Sequence, residues 1–145
     1  MHITRYTDYS LRVLMYLAVK GESLATIQDI ADSYDISKNH LMKVVHHLNR
    51  LGYITTTRGK NGGLRLRLAP GEINIGVLVR ETEQDLNLVE CFSSDNRCAI
   101  TPVCGLKGVL SEALSAFFET LNGYTLADLL PSKNQTQLIR LLQIS

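Results

Sequence analysis

The segment SKNHLMKVVHHLNRLG, residues 37–52, constrains the fold more than any other part of the chain. Its apolar residues recur at the i, i+3, i+4, i+7 spacing that places them on one face of a helix, and basic residues occupy the opposite face. Ser37 is a favoured N-cap and Gly52 a favoured C-terminal stop. The segment therefore predicts an amphipathic helix with defined ends, packed by one side against a core.

The neighbouring segments supply the other parts of a winged helix-turn-helix. TIQDIADSYDIS (26–37) predicts a short helix with Thr26 as its N-cap, followed by a tight turn. YITTTRGKNGGLRLRL predicts two short strands around a glycine-rich turn, in which the Asn61-Gly62 pair suits positive φ angles. A mostly buried helix is expected over residues 6–21. In a winged helix-turn-helix, the second helix of the pair lies in the major groove of DNA.

Candidate DNA contacts lie at the start of the second helix and in the hairpin. Asn39 can pair bidentately with adenine, and Lys38 or Lys43 can reach guanine acceptors or phosphates. Glycines beside the basic residues of the hairpin would let the backbone approach a phosphate or the minor groove. The predicted contacts are Ser37, Lys38, Asn39, His40, Lys43, Arg58 and Lys60. The alternative is an ordinary solvated helix face.

The distribution of charge favours DNA binding by the first part of the chain. Residues 1–80 carry 11 Lys and Arg against 6 Asp and Glu, a net charge of +5, and residues 81–145 carry 4 against 8, a net charge of −4. The two parts together give the formal net charge of +1. All four histidines also lie in the first part. A polyanion would therefore bind residues 1–80 rather than the remainder.

All three cysteines, Cys91, Cys98 and Cys104, lie within fourteen residues. Their gaps are wider than the C-x2-C to C-x4-C pairs that wrap a zinc ion, and they suit an iron-sulfur cluster, whose irons each take one protein ligand. Pro102 predicts a helix start that places Cys104 in the first turn, where backbone N–H groups stabilise negative charge. On spacing alone, zinc, a thiol redox switch and three unligated thiols remain alternatives.

The sequence also bears on location and on enzymatic activity. It has no secretory signal and no apolar run near the roughly 20 residues that span a membrane, so we expect a cytoplasmic protein with reduced thiols. A cysteine nucleophile needs a nearby base, and residues 81–145 contain no histidine. We therefore expect no enzyme. A protein-interaction module or a small thiol enzyme remains the rival from another class.

The chain is expected to have three parts and a mainly α fold. These are a winged helix-turn-helix DNA-binding domain with a small β-hairpin wing (1–80), a helix end with a cysteine-rich loop (81–104), and a long dimerisation helix with a C-terminal helix (105–145). The long helix has a wider apolar stripe than one small domain can bury, so we expect a homodimer. A two-fold dimer would place two recognition helices about one DNA turn apart on a palindromic operator.

Together, these motifs resemble the bacterial winged-helix iron-sulfur regulators over nearly the whole chain. The resemblance is carried by TDYSLRVLMYLA, SKNHLMKVVHHLNRLGYI, RGKNGGLRL, INIGVLVRETE, the three cysteines with ITPVC, and YTLADLL. It implies a DNA-binding regulator with an iron-sulfur cluster on Cys91, Cys98 and Cys104. The cluster expected is 4Fe-4S, with 2Fe-2S as the alternative. The gap of six residues between the first two cysteines departs from the commonest spacing, which is five.

Within that family, the chain is similar to the branch that senses nitric oxide. The cluster-biogenesis branch has a histidine shortly after its third cysteine, where this chain has Lys107. The nitric-oxide branch has an aspartate in the first helix that reaches the cluster of the other protomer. Asp8 stands at that position, with Arg12 as its ion-pair partner when the cluster is absent. The resemblance implies a repressor that releases DNA when its cluster is nitrosylated or lost. A thiol- or zinc-based redox regulator and an iron-sulfur status sensor are the alternatives.

Overall fold

A computed structural model describes all 145 residues and contains six α-helices and one antiparallel sheet of two strands. The helices are α1 (Arg5–Lys20), α2 (Ile27–Tyr34), α3 (Lys38–Leu51), α4 (Ile75–Thr82), α5 (Gly105–Asn122) and α6 (Ser132–Leu141), and the strands are β1 (Ile54–Thr57) and β2 (Gly63–Leu66). The order confirms the mainly α, winged helix-turn-helix fold that the sequence predicts. No helix combines the length and the apolar character that crossing a membrane requires.

Local side-chain chemistry sets the ends of the two helices in the helix-turn-helix. Thr26 and Asp29 form a capping box, in which the Thr26 hydroxyl accepts from the Asp29 N–H at 3.0 Å and the Asp29 carboxylate accepts from the Thr26 N–H at 2.9 Å. The Ser37 hydroxyl accepts from the His40 N–H at the start of α3. Gly52 ends α3 with a φ of 88°, which favours glycine. The helix ends predicted at Thr26, Ser37 and Gly52 are confirmed.

The wing is formed by β1 and β2, and its turn differs from the one predicted. The positive φ, 105°, falls at Gly59 and not at the Asn61-Gly62 pair. Five residues connect the strands, so the turn is closed by the Gly62 N–H donating to the Gly59 carbonyl at 3.0 Å and is not a two-residue hairpin turn. Gly62 is needed for a different reason, because a Cβ there would lie 2.0 Å from the Thr57 carbonyl oxygen.

Helix α1 lies at the centre of the molecule. It contacts α3, β2, α4, α6 and the short 3-10 turn at Leu126–Leu129. Its inner side is fully buried, as are Leu41 and Leu48 of α3 and Leu78 of α4, and all of them belong to one hydrophobic core. Any change in the position of α1 therefore affects the packing of α3 and of the elements that follow the wing.

The C-terminal part packs onto the winged helix-turn-helix of its own chain. Helix α4 lies against α5, where the Arg80 guanidinium is 3.8 Å from the centroid of the Phe118 ring. Near the end of the chain, Leu142 is buried and its carbonyl accepts from the Ser33 hydroxyl of α2 at 2.6 Å. The division into parts at 1–80, 81–104 and 105–145 stays a prediction, and all three contribute side chains to the same core or its edge.

Candidate DNA-binding surface and cysteine loop

The outer face of α3 is polar because its apolar residues are turned into the core. Leu41, Val44, Val45 and Leu48 are buried. Ser37, Lys38, Asn39 and Lys43 are exposed on the other side of the helix. Four of the five candidate contacts on α3 are therefore accessible to a ligand, although their roles in binding DNA stay predictions.

His40, the fifth candidate contact on α3, is only partly exposed because its ring packs against α1. The ring meets that of Tyr9 edge-on, with the centroids 4.9 Å apart. Two helical turns further along α3, the His47 ring lies beside that of Tyr6, with the centroids 5.5 Å apart. Two tyrosines of α1 thus contact two histidines of α3. The sequence gives no signal for these contacts, since each joins residues more than 30 positions apart.

The wing presents more basic side chains than the predicted contacts include. Arg58 and Lys60 are exposed around the turn, as predicted. Arg65 in β2 and Arg67, one residue after the strand ends, are also exposed, as the alternation of the chain indicates. Arg67 extends towards Gly52, where its guanidinium is suited to interact with the C-terminal end of α3. Of the two, Arg65 is the more available for a phosphate.

The basic residues of this surface are not neutralised by acidic neighbours. The chain contains a single ion pair, between Arg12 and Asp8. The lysines and arginines of α3 and the wing therefore keep their full charge for another partner. If these side chains neutralise phosphates of duplex DNA, they release counterions condensed on the DNA, and this release contributes binding free energy.

Asp8 and Arg12 form that ion pair on the exposed side of α1. The Arg12 Nη2 atom is 2.8 Å from one oxygen of the carboxylate, and its Nε atom donates to the other at 3.2 Å. The guanidinium also lies over the rings of Tyr9 and Tyr34, at 5.6 and 5.7 Å from their centroids. Burial raises the pKa of Tyr34 to about 12, despite the lowering effect of Arg12. Asp8 is thus paired with Arg12, and the Arg12 guanidinium in turn lies over two aromatic rings.

The cysteine loop is organised by side-chain hydrogen bonds. The Glu90 carboxylate accepts from the Arg97 N–H at 2.6 Å, and the Asn96 amide donates to the Thr101 hydroxyl at 2.6 Å. The Asn96 side-chain carbonyl in turn accepts from the Cys98 N–H at 2.9 Å. All three cysteines are free thiols; Cys98 is exposed, and the other two are partly buried. The loop thus holds three reduced thiols near the surface.

Cys104 does not lie in the first turn of α5, so that prediction is wrong. Pro102 instead belongs to a separate 3-10 turn, Thr101–Val103, and Cys104 is the N-cap of α5 in an extended conformation. No side chain caps this helix end. The N–H groups at the start of α5 therefore adjoin Cys104 and have no side-chain acceptor.

The four predicted cluster ligands do not converge within one chain. No group of three or more His, Cys, Asp and Glu side chains is arranged to hold a metal ion. The chemistry of the donor set nevertheless fits an iron-sulfur cluster, since three free thiols on one loop are the ligands that such clusters take. A complete set of ligands needs a movement of the loop, a residue from a second chain, or both.

Comparison with known proteins identifies the family. The sequence profile of Rrf2, described as an iron-dependent transcriptional regulator, matches residues 3–132. The chain belongs to the Rrf2 family. Within Rrf2, it is 56% identical over 144 residues to the HTH-type transcriptional regulator NsrR of Bacillus licheniformis, which covers 98% of this chain and 99% of that protein. It is 54% identical over 147 residues to NsrR of Bacillus subtilis, which covers 99% of each.

A solved structure supports the same assignment. CymR, the global cysteine regulator of Bacillus subtilis, matches this Rrf2 chain with a TM-score of 0.71 at 25% identity, over 89% of this chain and 95% of CymR. The chain is thus a transcriptional regulator of the Rrf2 type, similar to NsrR. Both NsrR relatives are transcriptional regulators, which argues against the small thiol enzyme that the sequence left open.

Proposed function

We propose that this Rrf2 regulator is a homodimeric repressor that binds a palindromic operator and senses nitric oxide through an iron-sulfur cluster. The observation that carries this function is the presence of a loop with three free thiols and a basic helix-turn-helix surface in one chain. The assignment of nitric oxide as the signal rests on the resemblance to the nitric-oxide-sensing branch. A cluster status sensor would use the same residues but would respond to cluster supply.

Cys91, Cys98 and Cys104 would hold the cluster, with Asp8 of the other protomer as the fourth ligand. When bound, the cluster supplies irons that react with nitric oxide. For Asp8 to act as a ligand, its carboxylate must leave Arg12. The ion pair is about 40% exposed, and exposed pairs are worth only about 0.2–1 kcal/mol, so its loss is a small cost. Asp8 is thus able to exchange between Arg12 and another partner.

The packing of α1 against α3 provides the link between that exchange and DNA. Tyr6 and Tyr9 of α1 contact His47 and His40 of α3. A shift of α1 when Asp8 changes partner would therefore reposition the recognition helix. Ligation at one site and DNA affinity at the other are then linked free energies, with a coupling that is typically about 1–3 kcal/mol.

The exposed face of α5 supports a homodimer. Leu106 and Val109 are each 61% exposed, an unusual fraction for residues on the apolar stripe of a long helix. The stripe continues into an apolar groove of about 640 Å³, where Leu110, Leu114 and Phe117 form one wall. A second copy of the chain would cover both features through a two-fold contact of the α5 helices.

The test measures DNA binding by the full chain prepared without oxygen. The protein first selects duplexes from a randomised pool, and binding to the selected duplex is then followed before and after addition of nitric oxide. We expect visible absorption with matching iron and sulfide contents, tight binding before addition, and weak binding together with changed absorption after it. Protein that contains zinc or no metal and responds only to thiol oxidants would contradict the cluster and support a thiol- or zinc-based regulator.

A further inference from the structure

Met42 is an apolar residue on the otherwise polar outer face of α3. Its side chain is 49% exposed, and it is not among the residues that pack on the core. Lys38 and Asn39 precede it by one helical turn, and His46 follows it by one turn, so the three lie beside it on the same face. The apolar residues on the inner side of α3 are buried. Packing in the core therefore does not explain why an apolar residue occupies position 42.

The position of Met42 matches a feature of the major groove. Among the groups that base pairs present there, the C5-methyl of thymine is the apolar one, and apolar side chains are known to contact it. Methionine is long, unbranched and polarisable, so its end adapts to a methyl group at a slightly variable position. The neighbouring Asn39 and Lys38 offer the hydrogen bonds that the adjoining base edges would need.

We propose that Met42 is a specificity-determining residue that contacts the C5-methyl of one thymine in each half of the operator. This role rests on the proposed function, in which α3 lies in the major groove. It adds a preference for thymine over every base that lacks the methyl group. The polar residues around Met42 would bind the DNA and set its register, and Met42 would select at a position where hydrogen bonds alone leave the choice open.

The test removes the thymine methyl and the methionine separately and together. The full chain selects its duplex from a randomised pool, and each thymine is then replaced singly by deoxyuridine, which lacks only the methyl group. For the unsubstituted protein, we expect one thymine per half-site at which this replacement weakens binding about fourfold, the value of one buried methyl-sized group. For Met42→Ala, the same replacement should change affinity less than about twofold, which is the limit for independent sites.

Two further variants make the result specific. Met42→Gln keeps the length of the side chain but not its apolar end, and it should also lose the sensitivity to deoxyuridine. Leu51→Ala removes the other exposed apolar residue of α3, 38% exposed and at the end of the helix, and should keep the fourfold effect. Circular dichroism checks that each variant is folded.

The possible outcomes separate this role from the proposed function. If the protein selects a duplex but deoxyuridine affects it and Met42→Ala equally at every thymine, the role of Met42 is wrong and DNA recognition by the chain stands. A Met42→Gln protein whose binding is still weakened about fourfold by deoxyuridine would also overturn the role of Met42. If the protein selects no duplex at all, the proposed function fails and the role of Met42 fails with it.

Discussion

At the scale of single residues, Arg12 connects the parts of the molecule that a signal would have to join. Its guanidinium pairs with Asp8 and also lies near the rings of Tyr9 and Tyr34. The Tyr9 ring also contacts that of His40 in α3. A chain of side-chain contacts therefore runs from Asp8 to α3 without passing through the core.

Asp8→Ala should separate cluster binding from the response to it. We expect the variant to keep part of its visible absorption, because the three thiols remain, and to lose much of the change in DNA affinity that nitric oxide causes. Binding to the selected duplex with and without nitric oxide measures this. Asp32→Ala, which alters an exposed carboxylate hydrogen-bonded only to Gln28, is the matched control. A full response in Asp8→Ala would show that Asp8 does not couple the two sites.

Lys38→Ala and Arg58→Ala should weaken DNA binding and leave the cluster unchanged. Each removes an exposed cation that no carboxylate neutralises, so each should cost affinity without loss of stability. Binding assays at fixed salt and visible spectra of the same samples provide the measurements. Lys133→Ala, in α6, changes the charge equally and should have little effect. Unaltered affinity in both of the first variants would exclude these residues from the interface.

At the scale of the elements, the joint between the wing and α4 depends on a buried tyrosine. Tyr53 lies between the end of α3 and β1, and its hydroxyl donates to the Glu81 carboxylate at the end of α4. Burial, and then the hydrogen bond to Glu81, raise the pKa of Tyr53 above its usual value of 10.0. The neutral phenol is therefore the form that the folded protein requires.

The protein should consequently lose stability in alkaline solution. A folded-state pKa above the unfolded-state value means that the contribution of Tyr53 is fully present below pH 10.0 and falls as the pH rises above it. Urea unfolding at about pH 8 and pH 11 should show the decrease. Tyr53→Phe removes this titration and should show a smaller decrease, although its stability at pH 8 is lower because the hydrogen bond is gone. An equal decrease in both proteins would assign the effect to the other tyrosines.

The elements also show how far sequence reasoning reaches. Thr26 begins α2, and Ser37 and Gly52 begin and end α3. Each acts through hydrogen bonds to residues no more than four positions away, so local chemistry predicts these helix ends. The wing turn is not predicted, because the length of the connection and not the Asn61-Gly62 pair decides where the positive φ falls. The start of α5 is missed for a similar reason, since Pro102 begins a separate turn. For the candidate DNA-binding surface, the sequence predicts which side chains are exposed. It does not predict the ring contacts between the tyrosines of α1 and the histidines of α3.

At the scale of the whole molecule, the exposed α5 face and the groove beside it are the surfaces that the proposed homodimer would cover. Val109 is one of the apolar residues of that face and is largely exposed in the single chain. The four candidate ligands also fail to meet within one chain. A second copy would complete both features. The assembly, rather than the chain, would then be the unit that senses and binds.

Val109→Glu should convert the dimer to a monomer. A buried, unpaired carboxylate at the contact between two α5 helices is costly, whereas the same residue on an isolated chain faces water. Sedimentation velocity measures the mass, and DNA binding should fall sharply because one recognition helix contacts only half of the operator. Glu119→Gln, on the exposed surface of the same helix, is the control. A Val109→Glu protein that sediments like the unsubstituted one would place the interface elsewhere.

The central position of α1 has a consequence for the way the chain is made. Leu126 and Leu142 are buried in the same core as α1, and the segments that carry them contact it directly. As the ribosome releases the chain from its N-terminal end, the helix-turn-helix emerges early, but its packing is complete only when residues near 142 have left the exit tunnel. Until then, the part of α1 that these C-terminal segments cover is exposed, although α3, β2 and α4 already pack against the helix. Nascent chains of this regulator should therefore complete the packing around α1 only after residues near 142 have been synthesised.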